Sequence, residues 1–285
     1  MSRATSPAGR VGAIGRSAMV HLTLGGYCLL VLCPIALVLL NSFKTRAGIF
    51  DDPLGLPTKA TLSLAGYGKV LGDAAIGHMF VNSLVVTSVS LVAILLLGAM
   101  AAWALTEYGF PGNRLLALFL AFGIMVPIRL GSVAILQEMV ALDLVNTLTA
   151  LVLVYVAQGL PLAVMILSEF VAAVPQELKD AARCDGVGEY RIFFQVVLPL
   201  IRPAVATVAV FTMVPIWNDL WFPLILAPSE QTQTITLGVQ QFVGQFATDW
   251  NAVLAALSLA VLPILVLYAV FSRQLIRGIT AGAVK

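Results

Sequence analysis

Few residues in this 285-residue chain could do chemistry, and they fall in two places. The first is Asp180-Ala181-Ala182-Arg183-Cys184-Asp185-Gly186, with Val196-Val197-Leu198-Pro199 beginning after nine intervening residues. Charged groups on a short helix, closed by a glycine and followed by a second amphipathic segment, suit docking to a partner rather than bond-making. The second place is Arg129 and Asp219, each set inside an apolar run, the latter within Trp217-Asn218-Asp219-Leu220-Trp221. An ionised side chain at a bilayer centre costs about 2.5–3.5 kcal/mol on insertion scales, so such groups mark a pathway or a buried pair. No phosphate-binding glycine loop, His-Glu-x-x-His or Gly-x-Ser-x-Gly occurs, and His21 and His78 stand alone. No catalytic residue and no metal site is therefore expected, and the chain is not expected to be an enzyme.

These residues are positioned by membrane elements. Hydrophobic residues make up 60% of the chain and charged residues 11%, with a mean hydropathy of +0.99, which lies outside soluble globular usage. Six windows are long enough to cross about 30 Å of hydrocarbon, which takes roughly 20 helical residues: 18–40, 81–105, 115–137, 147–170, 203–226 and 253–271. The expectation is an all-α polytopic membrane protein with six transmembrane helices. Its parts are a cytoplasmic N-terminal segment 1–17, a transmembrane domain 18–272 containing the polar loop 171–202, and a C-terminal tail 273–285.

Lys and Arg set the orientation, because cytoplasmic loops retain positive charge. Arg3, Arg10, Arg16 and Arg114, the loop with Lys179, Arg183, Arg191 and Arg202, and the tail with Arg273, Arg277 and Lys285 share one side. Only Lys44, Arg46, Lys59 and Lys69 fall on the other. Both termini are thus expected in the cytoplasm, and the net charge of +2 reads as a topology signal without nucleic-acid partners. The first apolar run exceeds the 7 to 15 residues of a signal core and reads as a retained anchor. Cys28, Cys33 and Cys184 offer no external disulfide pair. Residues 41–80 read as an ordered external loop with one short helix.

Within the polar loop, Val174, Leu178, Ala181 and Ala182 recur on one helical face, and Gly186 suits a turn with positive φ. Tyr190, Phe193, Phe194 and Val197 follow at i, i+3, i+4 and i+7, which predicts a second amphipathic helix. A helix pair resting on the inner membrane surface is the bland alternative to docking.

This loop resembles the Glu-Ala-Ala loop of the membrane subunits of type I binding-protein-dependent ABC importers, with Asp180 in place of Glu and Val196 in place of Ile. Trp217-Asn218-Asp219, Gln240-Gln241-Phe242 and the tail Gly278-Ile279-Thr280-Ala281-Gly282 are similar to segments of carbohydrate importer permeases, in particular the second permease of maltose-type systems. The resemblance implies a type I ABC importer permease (MetI-like) fold and half of a sugar pathway in a bacterial or archaeal cytoplasmic (inner) membrane. It implies that Asp180, Ala181, Ala182, Asp185 and Gly186 couple to an ATPase, and that Gln240, Gln241 and Phe242 meet an extracytoplasmic solute-binding protein. Gly278, Thr280 and Gly282 would reach an ATPase interface. The implied partners are a second related permease, two ATPase subunits carrying ATP and Mg, the binding protein, sugar and lipid; this chain itself would hold no cofactor.

Arg129, Trp217, Asn218, Asp219 and Trp221 are the expected substrate-pathway residues. Arg129 lies about eight residues before the outer end of its span and Asp219 about seven, which at 1.5 Å per residue puts both roughly 11 to 12 Å deep. They could pair, or each could face cavity water. Trp217 and Trp221, four apart, could stack on sugar rings or simply pack. An importer of another polar solute and an ion-coupled transporter are the competing functions.

Overall fold

Long, predominantly apolar runs become long helices that tolerate scattered polar residues and even an internal proline, Pro34 in one and Pro161 in another. The computed structural model describes residues 7–240 and 249–283. In chain order the helices are α1 (Pro7–Ser42), α2 (Arg46–Asp51), α3 (Ala65–Gly72), α4 (Ala74–Glu107), α5 (Asn113–Met125), α6 (Ser132–Ala141) and α7 (Leu148–Ala172). They continue with α8 (Gln176–Cys184), α9 (Glu189–Ile192), α10 (Leu198–Leu200), α11 (Arg202–Trp217), α12 (Trp221–Leu226), α13 (Ile235–Val239) and α14 (Trp250–Ala283). Among the described residues there is no β-strand, only one isolated bridge between Lys44 and Leu62.

Three of the six expected spans are continuous helices: Ser17–Ser42, Ala75–Glu107 and Leu148–Ala172. Two are broken. The window 115–137 contains α5, a 3-10 turn at Ile128–Gly131 and α6, bent by 91°. Pro127 supplies no N–H and holds Val126 in the extended region (ψ 118°), which ends α5. The window 203–226 is α11 and α12 separated at Asn218-Asp219-Leu220, and α11 itself leaves the preceding helix at 77°. Here the backbone N–H groups of Trp221 and Phe222 bond to the Asp219 carboxylate, so α12 starts afresh. The sixth window lies in α14, whose described apolar part is Trp250–Val266.

The chain divides into two compact units. The smaller contains α1 to α3 and the start of α14. In it Asn41 donates to the carbonyls of Leu37 and Pro53 (both 2.9 Å), while the buried Lys44 ammonium caps the carbonyl of Asp52 at 2.6 Å. Lys69 pairs with Asp249, and Asn251 donates to the Lys44 carbonyl, fastening α3 and the loop to the start of α14. Residues 41–80 thus hold two short helices where one was expected.

The larger unit is built on α4 against α7. Their backbones approach closely because small residues meet: a Cβ on Gly98 would lie 2.8 Å from the Ala163 Cβ. Lipid tails are as apolar as leucine, so such contacts rather than apolar burial drive helix association in a bilayer. Ile94, Leu151, Tyr155, Leu167, Phe193 and Leu226 fill this core. Large side chains of α1 between Met19 and Ile35, Leu22 and Leu29 among them, are exposed, as suits a helix facing hydrocarbon.

Candidate functional site

The polar loop forms the helix, turn and helix that its sequence predicts. Pro175 precedes α8, and Gly186 closes it at φ +74°. Gly186 N–H donates to the Arg183 carbonyl and Val187 N–H to the Ala182 carbonyl (both 3.0 Å), a Schellman cap whose left-handed residue only glycine adopts without strain. No atom would meet a Cβ there, so the requirement is conformational rather than spatial.

The second helix differs from its predicted pattern. Ile192, Phe193 and Val197 are buried, whereas Tyr190 is 77% exposed and Phe194 46%. Tyr190 sits in the first turn of the helix, and after it a π turn at Phe193–Val197, closed by Leu198 N–H donating to the Phe193 carbonyl, shifts the phase that a 3.6-residue period assumes for Phe194. Leu178, Tyr190 and Phe194 remain as exposed apolar side chains on this element. Ala181 and Asp185 are exposed and Ala182 is half-buried on the core.

Asp180 does not stand free. Its Oδ1 accepts from Arg183 at 2.9 Å and from Gln176 at 3.0 Å. Arg183 also reaches Glu107 at 2.6 Å and Glu189 at 2.8 Å. Lys179 pairs with the other Glu107 oxygen and lies 5.4 Å from the centroid of the Trp103 ring. Tyr108 donates its hydroxyl to Glu189 at 2.6 Å. The Arg183 and Tyr108 hydrogen bonds hold the Glu189 carboxyl below the usual range, while Glu189 and Glu107 hold the Arg183 guanidinium firmly protonated. Glu107, unnoticed in the sequence, is the hub. A carboxylate at a helix C-terminus is opposed by the macrodipole, and two cations on α8 compensate it. A lone acid ending a 33-residue apolar span was the available signal.

The second cluster sits where the two broken spans meet. Arg129, on the 3-10 turn, lies 3.9 Å from Asp219, at the gap before α12. Tyr155 of α7 donates its hydroxyl to Asp219 at 2.9 Å. Ser132 donates to the Arg129 carbonyl at 2.6 Å and accepts the Trp221 indole N–H at 2.8 Å, so one serine ties the two breaks together. Ile128, Arg129, Tyr155, Gln158, Phe211, Thr212, Asp219 and Phe222 are among the walls of a cavity of about 190 Å³.

The other expected pathway residues separate. Trp217 is 2% exposed, donates its indole N–H to the Ala260 carbonyl (2.9 Å) and packs edge-on against Phe80, so it is not on the cavity wall. The break after it also removes the common face expected for Trp217 and Trp221. Asn218 is exposed and donates to the Val214 carbonyl. Gln240 is exposed at the end of α13; Gln241 and Phe242 lie outside the described residues. Gly278, Thr280 and Gly282 are in the last turns of α14, where a tail separate from the sixth span was expected. Among the described residues no cluster of His, Cys, Asp or Glu could hold a metal.

Residues 94–281 match the family model described as "Binding-protein-dependent transport system inner membrane component". The Streptomyces coelicolor diacetylchitobiose uptake system permease protein NgcG is 33% identical over 93% of this chain and 88% of its own length. The Bacillus subtilis melibiose/raffinose/stachyose import permease protein MelC is 30% identical over 88% of this chain and 91% of its own. Among solved structures, one chain of a bacterial ABC transporter importing the acidic polysaccharide alginate superposes with a TM-score of 0.76 at 20% identity, covering 95% of this chain and 99% of that one. At that identity the likeness speaks for the fold.

Proposed function

The chain belongs to the binding-protein-dependent transport system inner membrane component family, and on that premise we propose that it conducts sugar as one permease of a heterodimeric, ATP-driven importer. It is a transport subunit and not an enzyme. ATP and Mg belong to two separate ATPase subunits, a related permease completes the pathway, and an extracytoplasmic binding protein delivers the solute. The setting is a bacterial or archaeal inner membrane with both termini in the cytoplasm. Relatives whose names give diacetylchitobiose and melibiose, raffinose or stachyose as cargo support the sugar assignment.

The observation that carries the reading is the grip of α8 on α4 through Glu107. An ATPase subunit docked on Leu178, Tyr190, Phe194 and the Asp180-Ala181-Ala182 surface would push α8 as it closes on ATP. Buried ion pairs lose much when separated, so α4 moves with α8 rather than sliding past it. Helix α4 packs along α7, and α7 supplies Tyr155 and Gln158 to the cavity. The push therefore has a contiguous route to the pathway. Gln240, Gln241 and Phe242 contact the binding protein in this scheme, and the end of α14 meets the ATPase pair.

The test is uptake of labelled disaccharide into proteoliposomes holding the complete complex, with binding protein outside and ATP inside. Uptake that requires ATP and the binding protein supports the proposal. Uptake driven by a proton or sodium gradient without the ATPase would replace it with the ion-coupled reading.

A further inference from the structure

The polar groups around the Arg129 cavity are unequally occupied. Asp219 spends both oxygens within the protein: Oδ1 accepts from Trp221 N–H at 3.2 Å, and Oδ2 accepts from the Tyr155 hydroxyl at 2.9 Å and Phe222 N–H at 3.1 Å. The Tyr155 proton is spent in the same bond, and Thr212 donates its own to the Val208 carbonyl at 2.7 Å. What remains is Arg129 and Gln158. The Arg129 side chain is 71% exposed, and its nearest carboxylate oxygen is 3.9 Å away, beyond hydrogen-bond distance. The Gln158 amide has no hydrogen-bond partner among the described residues and lines the same cavity.

A guanidinium carries five donors and no acceptor, in a fork that matches a carboxylate. The cavity therefore offers the unspent guanidinium donors of Arg129 and the donor and acceptor of the Gln158 amide, while its one carboxylate already accepts from three groups. A carboxylate is acceptor-only and can take two guanidinium donors at once in charge-assisted bonds, whereas a neutral sugar hydroxyl accepts from them singly and without charge. Ile128, Phe211 and Phe222 give the rest of the wall an apolar, aromatic character suited to a ring face. We propose that the cavity selects a solute bearing an anionic oxygen group, a carboxylate carried on a sugar ring, with Arg129 as its ligand and Gln158 beside it. This rests on the sugar-importer reading above and adds the charge of the cargo. At about 190 Å³ the cavity is smaller than the roughly 300–1,000 Å³ of a complete small-molecule site, which fits a pathway completed by a second permease.

The experiment is equilibrium binding to the complete permease–ATPase complex in nanodiscs, without binding protein, using digalacturonate and its dimethyl ester as probes. The two share a skeleton and differ in charge. Digalacturonate is expected to bind at least about tenfold more tightly than the ester, the scale of a charge-assisted hydrogen bond. Arg129→Gln should abolish that difference, Arg129→Lys should restore part of it, and Gln158→Leu should reduce it severalfold in an assembled complex. Equal binding of acid and ester, or equal losses of both in the variants, would overturn the anionic cargo and leave a neutral-sugar importer standing. Failure of Arg129→Gln to assemble, with Gln158→Leu retaining full discrimination, would assign the guanidinium to a neighbouring subunit and also overturn it. Binding of neither probe, together with no ATP-driven uptake of any saccharide, would remove the sugar reading itself.

Discussion

Glu107 and Lys179, 72 residues apart, face each other as a buried ion pair with side chains 6% and 5% exposed, joining the end of α4 to the middle of α8. Arg183, one turn further along α8, occupies the second Glu107 oxygen. A single carboxylate therefore receives two cations from the element that would meet an ATPase.

Removing one partner of a buried pair leaves an uncompensated charge and costs about 3–5 kcal/mol. Glu107→Gln should lower the melting temperature of the purified complex, and adding Lys179→Met should recover part of the loss because the stranded ammonium is gone. A fluorescence-monitored thermal melt of both variants checks this. If the double variant is less stable than the single one by the full Lys179→Met cost, the pair contributes nothing.

Depth alone brought Arg129 and Asp219 together in the sequence, and the fold brings them within 3.9 Å. Their coupling is nonetheless expected to be small, under about 1 kcal/mol, because Arg129 is largely exposed and Asp219 already satisfies three other donors. Asp219→Ala should cost more than Arg129→Gln, since it strips the cap from α12, worth about 1 kcal/mol. A double-mutant cycle on thermal stability measures both. Coupling of several kcal/mol would make the pair a structural lock instead.

Much of this was legible in the chain. Spans 1, 2 and 4 were, because their few polar residues leave long runs of high hydropathy; Gly186 was, because its place after a polar helix demands positive φ. The break at Asn218–Leu220 was not, since hydropathy does not register a carboxylate capping the next helix. That break also voided the i, i+4 relation of Trp217 and Trp221, as the π turn did the i, i+3 relation of Phe194 and Val197. Glu107 stayed hidden because its partners lie 72 and 76 residues away, in an element whose own spacing says nothing of α4.

Acid should loosen the Lys69–Asp249 fastening of the smaller unit. The Lys69 hydrogen bond holds the Asp249 carboxyl below its usual value, so its contribution is fully present above the unfolded pKa of roughly 3.9 and is lost as pH falls through the lower folded value. The pair is partly exposed, which limits the effect to under about 1 kcal/mol. Melting curves between pH 6 and pH 3 should fall less steeply for Asp249→Asn than for the parent. Identical slopes would show that this pair contributes no pH dependence.

The central claim is that α8 carries ATPase motion into the membrane, and the most direct measurement is sugar imported per ATP hydrolysed in proteoliposomes of the complete complex. Gly186→Val places a β-branched residue at φ +74°, a strain of about 1–2 kcal/mol that unwinds the cap of α8 without entering the membrane spans. Insertion and subunit assembly should persist while the ratio of uptake to hydrolysis falls severalfold below the parent. An assembled Gly186→Val complex that imports sugar at the parental ratio would contradict the account.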